Sequence, residues 1–255
     1  MNDIWKVKVL VLGHHTLDKS ALVHDCSEGE ILQIPITSLA LENGEHKIVV
    51  DTGHHDAKWV SEHMLPAVTT PEEELETVLK NAMGWTLDEV DTVINTHLHF
   101  DHCGQNRLFK HAKFVVTKTE WEYAFKPEQY QRRLYRQELF DRTAVSYFDW
   151  QFIEDKDCEL YPGLRLLFTP GHTPGHISIL VRTAMGTVCF AGDVCPTVEN
   201  LQKIILSNVV TSPEQMLHSY DRIRWSSDFI IPGHEPSIQQ FQSENFPTCT
   251  EKVFY

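Results

Sequence analysis

The sequence has no Cys-x-x-Cys pair. Its 6 cysteines, Cys26, Cys103, Cys158, Cys189, Cys195 and Cys249, stand singly along 255 residues. That excludes a zinc ribbon and a thioredoxin-type redox motif. No apolar run approaches the roughly 18 residues of a membrane span. Residues 1–15 carry Asp3, Lys6 and Lys8 among apolar positions, with no h-region and no small-residue cleavage site, so a secretory leader is not expected. The thiols are read as reduced, in a cytoplasmic protein. Positive charge is scarce: 22 Lys and Arg face 36 Asp and Glu, a formal net charge of -14. General nucleic-acid binding needs clustered Lys and Arg and is not expected. Anionic membranes are disfavoured for the same reason. No low-complexity linker and no short repeat divides the chain, so residues 1–255 are read as a single domain. At 42% hydrophobic residues it can bury a sizeable core.

Histidine is abundant: there are 15. It is the commonest metal ligand and titrates near neutral pH, so the composition points towards metal chemistry. The element pattern places these residues. Residues 6–12 read as a strand. Residues 36–41 and 47–51 flank Glu42-Asn43-Gly44-Glu45, a hairpin signal, and the second strand ends in Asp51-Thr52-Gly53. Thr70, Pro71 and Glu73 predict a capped helix start, with Leu75, Val78, Leu79 and Ala82 as its apolar stripe and Gly84 as its end. Residues 90–95 read as a buried strand, 114–117 as another, and about 20 residues from Pro127 as helical, giving a helical cap segment over 123–147. Further strands are expected at 164–168, 177–181, 187–191 and 229–231. Ser212, Pro213 and Gln215 open a second capped helix. Strand after strand runs into a loop bearing His or Asp, which is where α/β sheets assemble their sites. Two strand-rich halves flanked by helices imply two sheets covered by helices.

The chemistry concentrates at His97-Leu98-His99-Phe100-Asp101-His102, an H-x-H-x-D-H motif directly after the strand at 90–95. Residues i and i+2 of an extended segment point the same way, so His97 and His99 can share one metal. Asp101 and His102 fall at the turn and can face a second. Imidazole mixed with carboxylate suits zinc, with iron, manganese or cobalt as alternatives. His172 follows a strand in a Gly/Pro turn, Asp193 ends a strand in Ala-Gly-Asp, and His234 ends another in Pro-Gly-His. Each is weak alone; in this order they are strong.

In that order the chain resembles the metallo-β-lactamase superfamily, α/β hydrolases with an αββα sandwich fold. The resemblance implies that His97, His99 and His172 bind one zinc ion, that Asp101, His102 and His234 bind the other, and that Asp193 bridges them. It also makes Asp51 a buried carboxylate supporting the ligands and His176 a hydrogen-bonding residue. A metal-bridging hydroxide then attacks an electrophilic carbonyl, with Asp101 orienting it or carrying a proton to the leaving group. Only 21 residues follow His234, which leaves no room for the C-terminal helical domain of glyoxalase II-type thioesterases.

The text around the ligands is most similar to the N-acyl homoserine lactonase group of quorum-quenching enzymes. Residues 16–20, 34–36, 50–53, 119–123, 161–163, 169–176 and 198–201 carry the likeness, as does Phe100. The implied activity is opening of a lactone or cleavage of a related carboxylic ester on a small-molecule substrate, by a protein that pairs as a homodimer. Amide or lactam, thioester and phosphodiester substrates are the alternatives, with a non-hydrolytic metal or redox protein behind them. One position departs from the group. The lactonases carry a catalytic Tyr three residues after the bridging Asp; here position 196 is Pro, which has no donor. That role is empty or filled from elsewhere, and His54 and His55, after the Asp51 turn, are the candidate substrate contacts.

Overall fold

The computed structural model describes residues 3–26 and 29–238, so Cys249 lies outside the described residues. The chain divides into two compact units. Residues 6–15 and 36–155 make one; the described residues of 1–5, 16–35 and 156–255 make the other.

The first unit holds most of a seven-stranded sheet of order β4-β1-β2-β3-β5-β6-β7, all but the end of β1 and the start of β2. Its strands are β1 (Lys6–Asp18), β2 (Ile31–Glu42), β3 (Lys47–Val50), β4 (Ala67–Val68), β5 (Thr92–Ile94), β6 (Lys113–Thr117) and β7 (Asp149–Ile153). Its helices are α1 (Ala57–His63), α2 (Leu75–Met83) and α3 (Lys118–Phe125). The hairpin between β2 and β3 pairs Glu42 with Lys47. Asn43 Oδ1 closes it, accepting from the amides of Glu45 at 3.0 Å and His46 at 2.8 Å, as Asn does in tight turns. The three residues of β5 are all buried, and its neighbours β3 and β6 both run parallel to it. A strand covered on both faces has this continuous apolar text. Leu75 and Leu79 of α2 bury against Leu10, Val49, Val93 and Phe114.

Two expectations change here. The predicted helix start at Thr70 is a turn instead: the Thr70 amide donates to Glu73 Oε2 at 2.9 Å, but the helix begins at Leu75. The expected helix after Pro127 does not form. Residues 126–148 contain only two 3₁₀ turns, Arg132–Leu134 and Gln137–Leu139. Tyr135 and Arg136 between them are extended. The reason is where the backbone bonds go. The Leu134 carbonyl accepts from the Phe100 amide at 2.9 Å, and Tyr135 forms a β-bridge with His99. The segment spends its hydrogen bonds on the His97–Asp101 loop rather than on a helix of its own.

The second unit holds a five-stranded sheet of order β12-β11-β10-β9-β8. These are β8 (Cys158–Tyr161), β9 (Leu164–Phe168), β10 (Ile177–Thr183), β11 (Gly186–Gly192) and β12 (Phe229–Pro232), with α4 (Val198–Lys203) and α5 (Pro213–Ser226). Only β12 joins in parallel. Ser212 caps α5 by accepting from the Gln215 amide, and Pro213 occupies the first turn, where its missing N–H costs nothing. Met216, Tyr220 and Ile223 of α5 bury against Leu167, Leu180 and Ala191. Strands β4, β7 and β8 and helix α1 carry no signal that the sequence reading used. Among the described residues no helix is long and apolar enough to cross a membrane.

Candidate metal centre

Asp51 organises the candidate ligands of the first unit. It sits just past β3 with φ +58°, the left-handed region that Asp tolerates better than most residues. The parallel ladder of β3 and β5 brings it beside the start of the histidine loop, where its amide donates to the Ile94 carbonyl at 2.9 Å. The carboxylate is fully buried and saturated with donors. Oδ1 accepts from the Thr96 amide at 2.8 Å and Oδ2 from the Thr96 hydroxyl at 2.7 Å. Oδ2 also accepts from His102 Nδ1 at 2.8 Å. Because the Thr96 hydroxyl spends its proton on Asp51, it accepts from His97 Nδ1, 3.0 Å away. One carboxylate thus orients His102 directly and His97 through a hydroxyl.

The imidazoles converge. His97 and His99 rings lie 4.4 Å apart, and His97 and His102 rings 4.1 Å. His97 and His99 each bring a ligand atom within 4.8 Å of the other's, and so do Asp101 and His102. All three imidazoles are buried, while Asp101 is partly open and brings Oδ1 to 3.9 Å from His102 Nε2. Gly104, which ends the loop, is required by space: a Cβ there would stand 2.5 Å from the Gly53 carbonyl and 2.5 Å from the His55 amide.

The second unit arranges its own set on the ends of β9, β11 and β12. His172 Nδ1 donates to the Val209 carbonyl at 2.8 Å and turns Nε2 towards Asp193 Oδ2, 3.5 Å away. His234 Nδ1 donates to the Pro35 carbonyl at 2.9 Å and turns Nε2 to Asp193 Oδ1 at 3.1 Å. His176 Nε2 accepts from the Asp193 amide at 3.2 Å, and its Nδ1 meets the Thr169 hydroxyl at 3.0 Å. The turn carrying His234 is zipped onto the turn after Asp193: the Gly233 amide donates to the Cys195 carbonyl and the His234 amide to the Pro196 carbonyl. A Cβ on Gly233 would meet Asp193 Oδ1 at 2.8 Å, so only glycine passes.

The two candidate substrate histidines separate. His54 is buried, with Nδ1 3.1 Å from His15 Nε2 and Nε2 2.8 Å from the Thr69 hydroxyl. His15 continues the row, its Nδ1 3.9 Å from Asp101 Oδ2. His55 instead lines a small recess with Trp59, Phe100 and Arg136. Burial, followed by the charge of Arg107, pulls the His55 pKa down and favours its neutral ring. Cys103 is buried, and its thiol donates to the Leu98 and His99 carbonyls. Burial pushes its pKa well up, which keeps it a packed thiol rather than a nucleophile.

His54 makes stability depend on pH. Burial, then the nearby His55, lowers its pKa from 6.5 to about 4. The unfolded chain therefore takes up a proton here that the folded chain refuses, and stability falls as pH drops between those two values. The loss is up to about 3 kcal/mol. Unfolding by urea from pH 6.5 down to 4.5 should show a steeper fall for the native chain than for His54→Gln. Parallel curves would remove His54 from this role.

The donor set fits a divalent metal of the zinc type. A ligating imidazole commonly gives its other ring N–H to a carboxylate or a backbone carbonyl, which fixes the tautomer. His102, His172 and His234 do this through Asp51, Val209 and Pro35. Each is thereby set to offer an Nε2 lone pair, beside carboxylates, as zinc sites require.

Comparison with known proteins agrees with this chemistry. Residues 33–234 match the family model of the metallo-beta-lactamase superfamily. The N-acyl homoserine lactonase AiiA of Bacillus thuringiensis subsp. kurstaki is 31% identical over 253 residues, covering 93% of this chain and 95% of that protein. The solved structure of an N-acyl homoserine lactone hydrolase, with the product N-hexanoyl-L-homoserine bound at its catalytic metal centre, superposes with a TM-score of 0.80 at 29% identity. That match covers 95% of this chain and 97% of the other. AidC, a dizinc quorum-quenching lactonase, shares the fold with a TM-score of 0.71 at 14% identity, over 91% of this chain and 88% of its own. Two mixed sheets with flanking helices are thus the αββα arrangement that the sequence implied.

Proposed function

The chain belongs to the metallo-β-lactamase superfamily, and from that membership and its two ligand sets we propose that it is a dinuclear metal-dependent hydrolase opening lactones of the N-acyl homoserine type or cleaving a related carboxylic ester. His97, His99 and His172 hold one metal, Asp101, His102 and His234 the other, and Asp193 bridges them. Zinc suits these donors, with iron, manganese or cobalt as substitutes. The observation that carries the reading is the set of three imidazoles whose Nδ1 protons are fixed on Asp51, Val209 and Pro35.

Bound there, two divalent ions supply an activated water and polarise the substrate carbonyl. The chain's own groups do the rest. Asp51 holds His97 and His102 in their ligating tautomers. Asp101, the most open of the first unit's ligands, holds the proton released by the attacking water and returns it to the departing ring oxygen. Water adds across the acyl–oxygen bond, giving a carboxylate and an alcohol. His176 fixes the Asp193 turn. Position 196 offers only a backbone carbonyl, and that serves His234. The substrate-facing donor is therefore assigned to His55, whose recess includes Phe100 of the histidine loop. The free thiols of Cys26, Cys103, Cys158, Cys189 and Cys195 support a reducing, cytoplasmic location, and the kinship with lactonases supports a homodimer.

The test is turnover by the metal-loaded protein against acyl-homoserine lactones, other lactones, carboxylic esters, amides, thioesters and phosphodiesters. Lactones and esters should be opened, with the acid product titrating one equivalent of base. Cleavage of phosphodiesters alone, or bound metal with no hydrolysis of any carbonyl substrate, would overturn the assignment.

A further inference from the structure

Glu120 has no part in the ligand scheme, yet it is fully buried beside it. It lies in the first turn of α3, whose cap Thr117 accepts from the Glu120 amide at 3.1 Å. Its Oε1 accepts from the Leu98 amide at 3.0 Å and from the Tyr135 hydroxyl at 2.8 Å. Leu98 is the residue between His97 and His99. The Tyr135 ring packs edge-on against the His99 ring, 4.7 Å between centroids, and Tyr135 bridges His99 through the backbone. Two residues on, the Phe100 amide is held by the Leu134 carbonyl. The H-x-H segment is thus gripped by groups other than Asp51, on its backbone and on the ring of one ligand. A carboxylate suits the task, because both donors converge on one oxygen and charge-assisted bonds are the stronger kind.

We propose that Glu120 and Tyr135 are positioning residues of the metal centre: they keep the His97–His99 segment extended and the His99 ring aimed, and so raise the affinity for the metal held by those two histidines. This rests on the reading of His97 and His99 as ligands. The segment 126–148, in which sequence alone suggests a helical cap, then serves as a brace that delivers Tyr135 and Leu134 to the loop. The effect of Glu120 and Tyr135 passes through His99.

The experiment measures metal affinity in the full chain, by zinc competition against a chelator and by the visible spectrum of the cobalt-loaded protein. The variants are Tyr135→Phe, Glu120→Gln and Glu120→Ala. Tyr135→Phe keeps the ring against His99 and removes only the hydroxyl, and Glu120→Gln keeps an acceptor oxygen without the charge. Affinity for the metal held by His97 and His99 should fall about tenfold in Tyr135→Phe and Glu120→Gln, and up to about a hundredfold in Glu120→Ala. The cobalt spectrum should shift, and activity should return with excess zinc. A merely structural role would lower the melting temperature and leave zinc affinity and spectrum unchanged, which would overturn the proposal. If Glu120→Ala does not fold, the two conservative variants still decide. A native chain that binds no metal would instead sink the ligand assignment, and the brace with it.

Discussion

Asp193→Ala should abolish hydrolysis, with kcat/KM falling about a thousandfold or more. Asp193 directly follows β11 and sets its carboxylate between two imidazoles, 3.5 Å from His172 Nε2 and 3.1 Å from His234 Nε2. In the proposed centre these histidines serve different metals, so the variant loses the one anion common to both. Two like-charged ions need such an anion between them, and without it the second ion is held poorly. The reaction then loses activated water, whose pKa is ~15.7 in bulk and about 7 at a metal centre. The effect is confined to the site. Asp193 is a strand-end residue packed against Gly233, and truncating it overpacks nothing. Metal content per chain and steady-state kinetics on an acyl-homoserine lactone check the prediction together. A variant that keeps two metals and native turnover would show that Asp193 is not the bridge.

The candidate ligand loops stand out in the sequence because metal chemistry uses few residue types at short spacing. H-x-H-x-D-H after an apolar run reads as a site whatever surrounds it. His172, Asp193 and His234 each follow an apolar strand within a few residues, next to a glycine, which is a short local pattern. The hairpin at Asn43-Gly44 and the caps at Ser212 and Gly84 rest on local rules and needed no partner. The segment after Pro127 failed for the opposite reason. Its Tyr, Arg, Gln and Glu suit a helix by propensity, but its backbone is claimed by residues 99 and 100, some 35 positions earlier. A non-local pairing of that kind overrides propensity. Glu120 and His54 were illegible for a related reason. Nothing in the sequence marks Glu120 as the acceptor that Leu98 and Tyr135 reach. His54 reads as a rim residue until His15 and Thr69 take both its nitrogens. In the text nothing distinguishes His54 from His55, whose environments differ completely.

Asp51→Asn should lower metal affinity about ten- to a hundredfold while leaving the backbone in place. Asp51 accepts three hydrogen bonds, from the Thr96 amide, the Thr96 hydroxyl and His102 Nδ1, and through that hydroxyl it also orients His97. Asn matches its shape and tolerates φ +58° nearly as well. It offers one acceptor oxygen in place of two and turns an N–H towards at least one donor. If the amide oxygen stays with the Thr96 amide, His102 Nδ1 faces an N–H and must flip its tautomer or rotate. Its Nε2 then carries the proton and ceases to be a ligand. If the oxygen turns to His102, Thr96 loses its grip on the loop and His97 its anchor. Either way one metal position weakens, and the two outcomes differ in which. The loss should appear as zinc released to a chelator and as a drop in kcat/KM that excess zinc partly restores. Asp51→Ala should add a folding cost, because alanine at φ +58° is strained by about 1–2 kcal/mol and leaves buried donors unmet. The ordering native, Asn, Ala in metal affinity, with only Ala strongly lowering the stability of the metal-free chain, separates the carboxylate's hold on the ligands from its place in the turn. Equal zinc affinity in the native and Asn chains would mean that His97 and His102 keep their tautomers without Asp51.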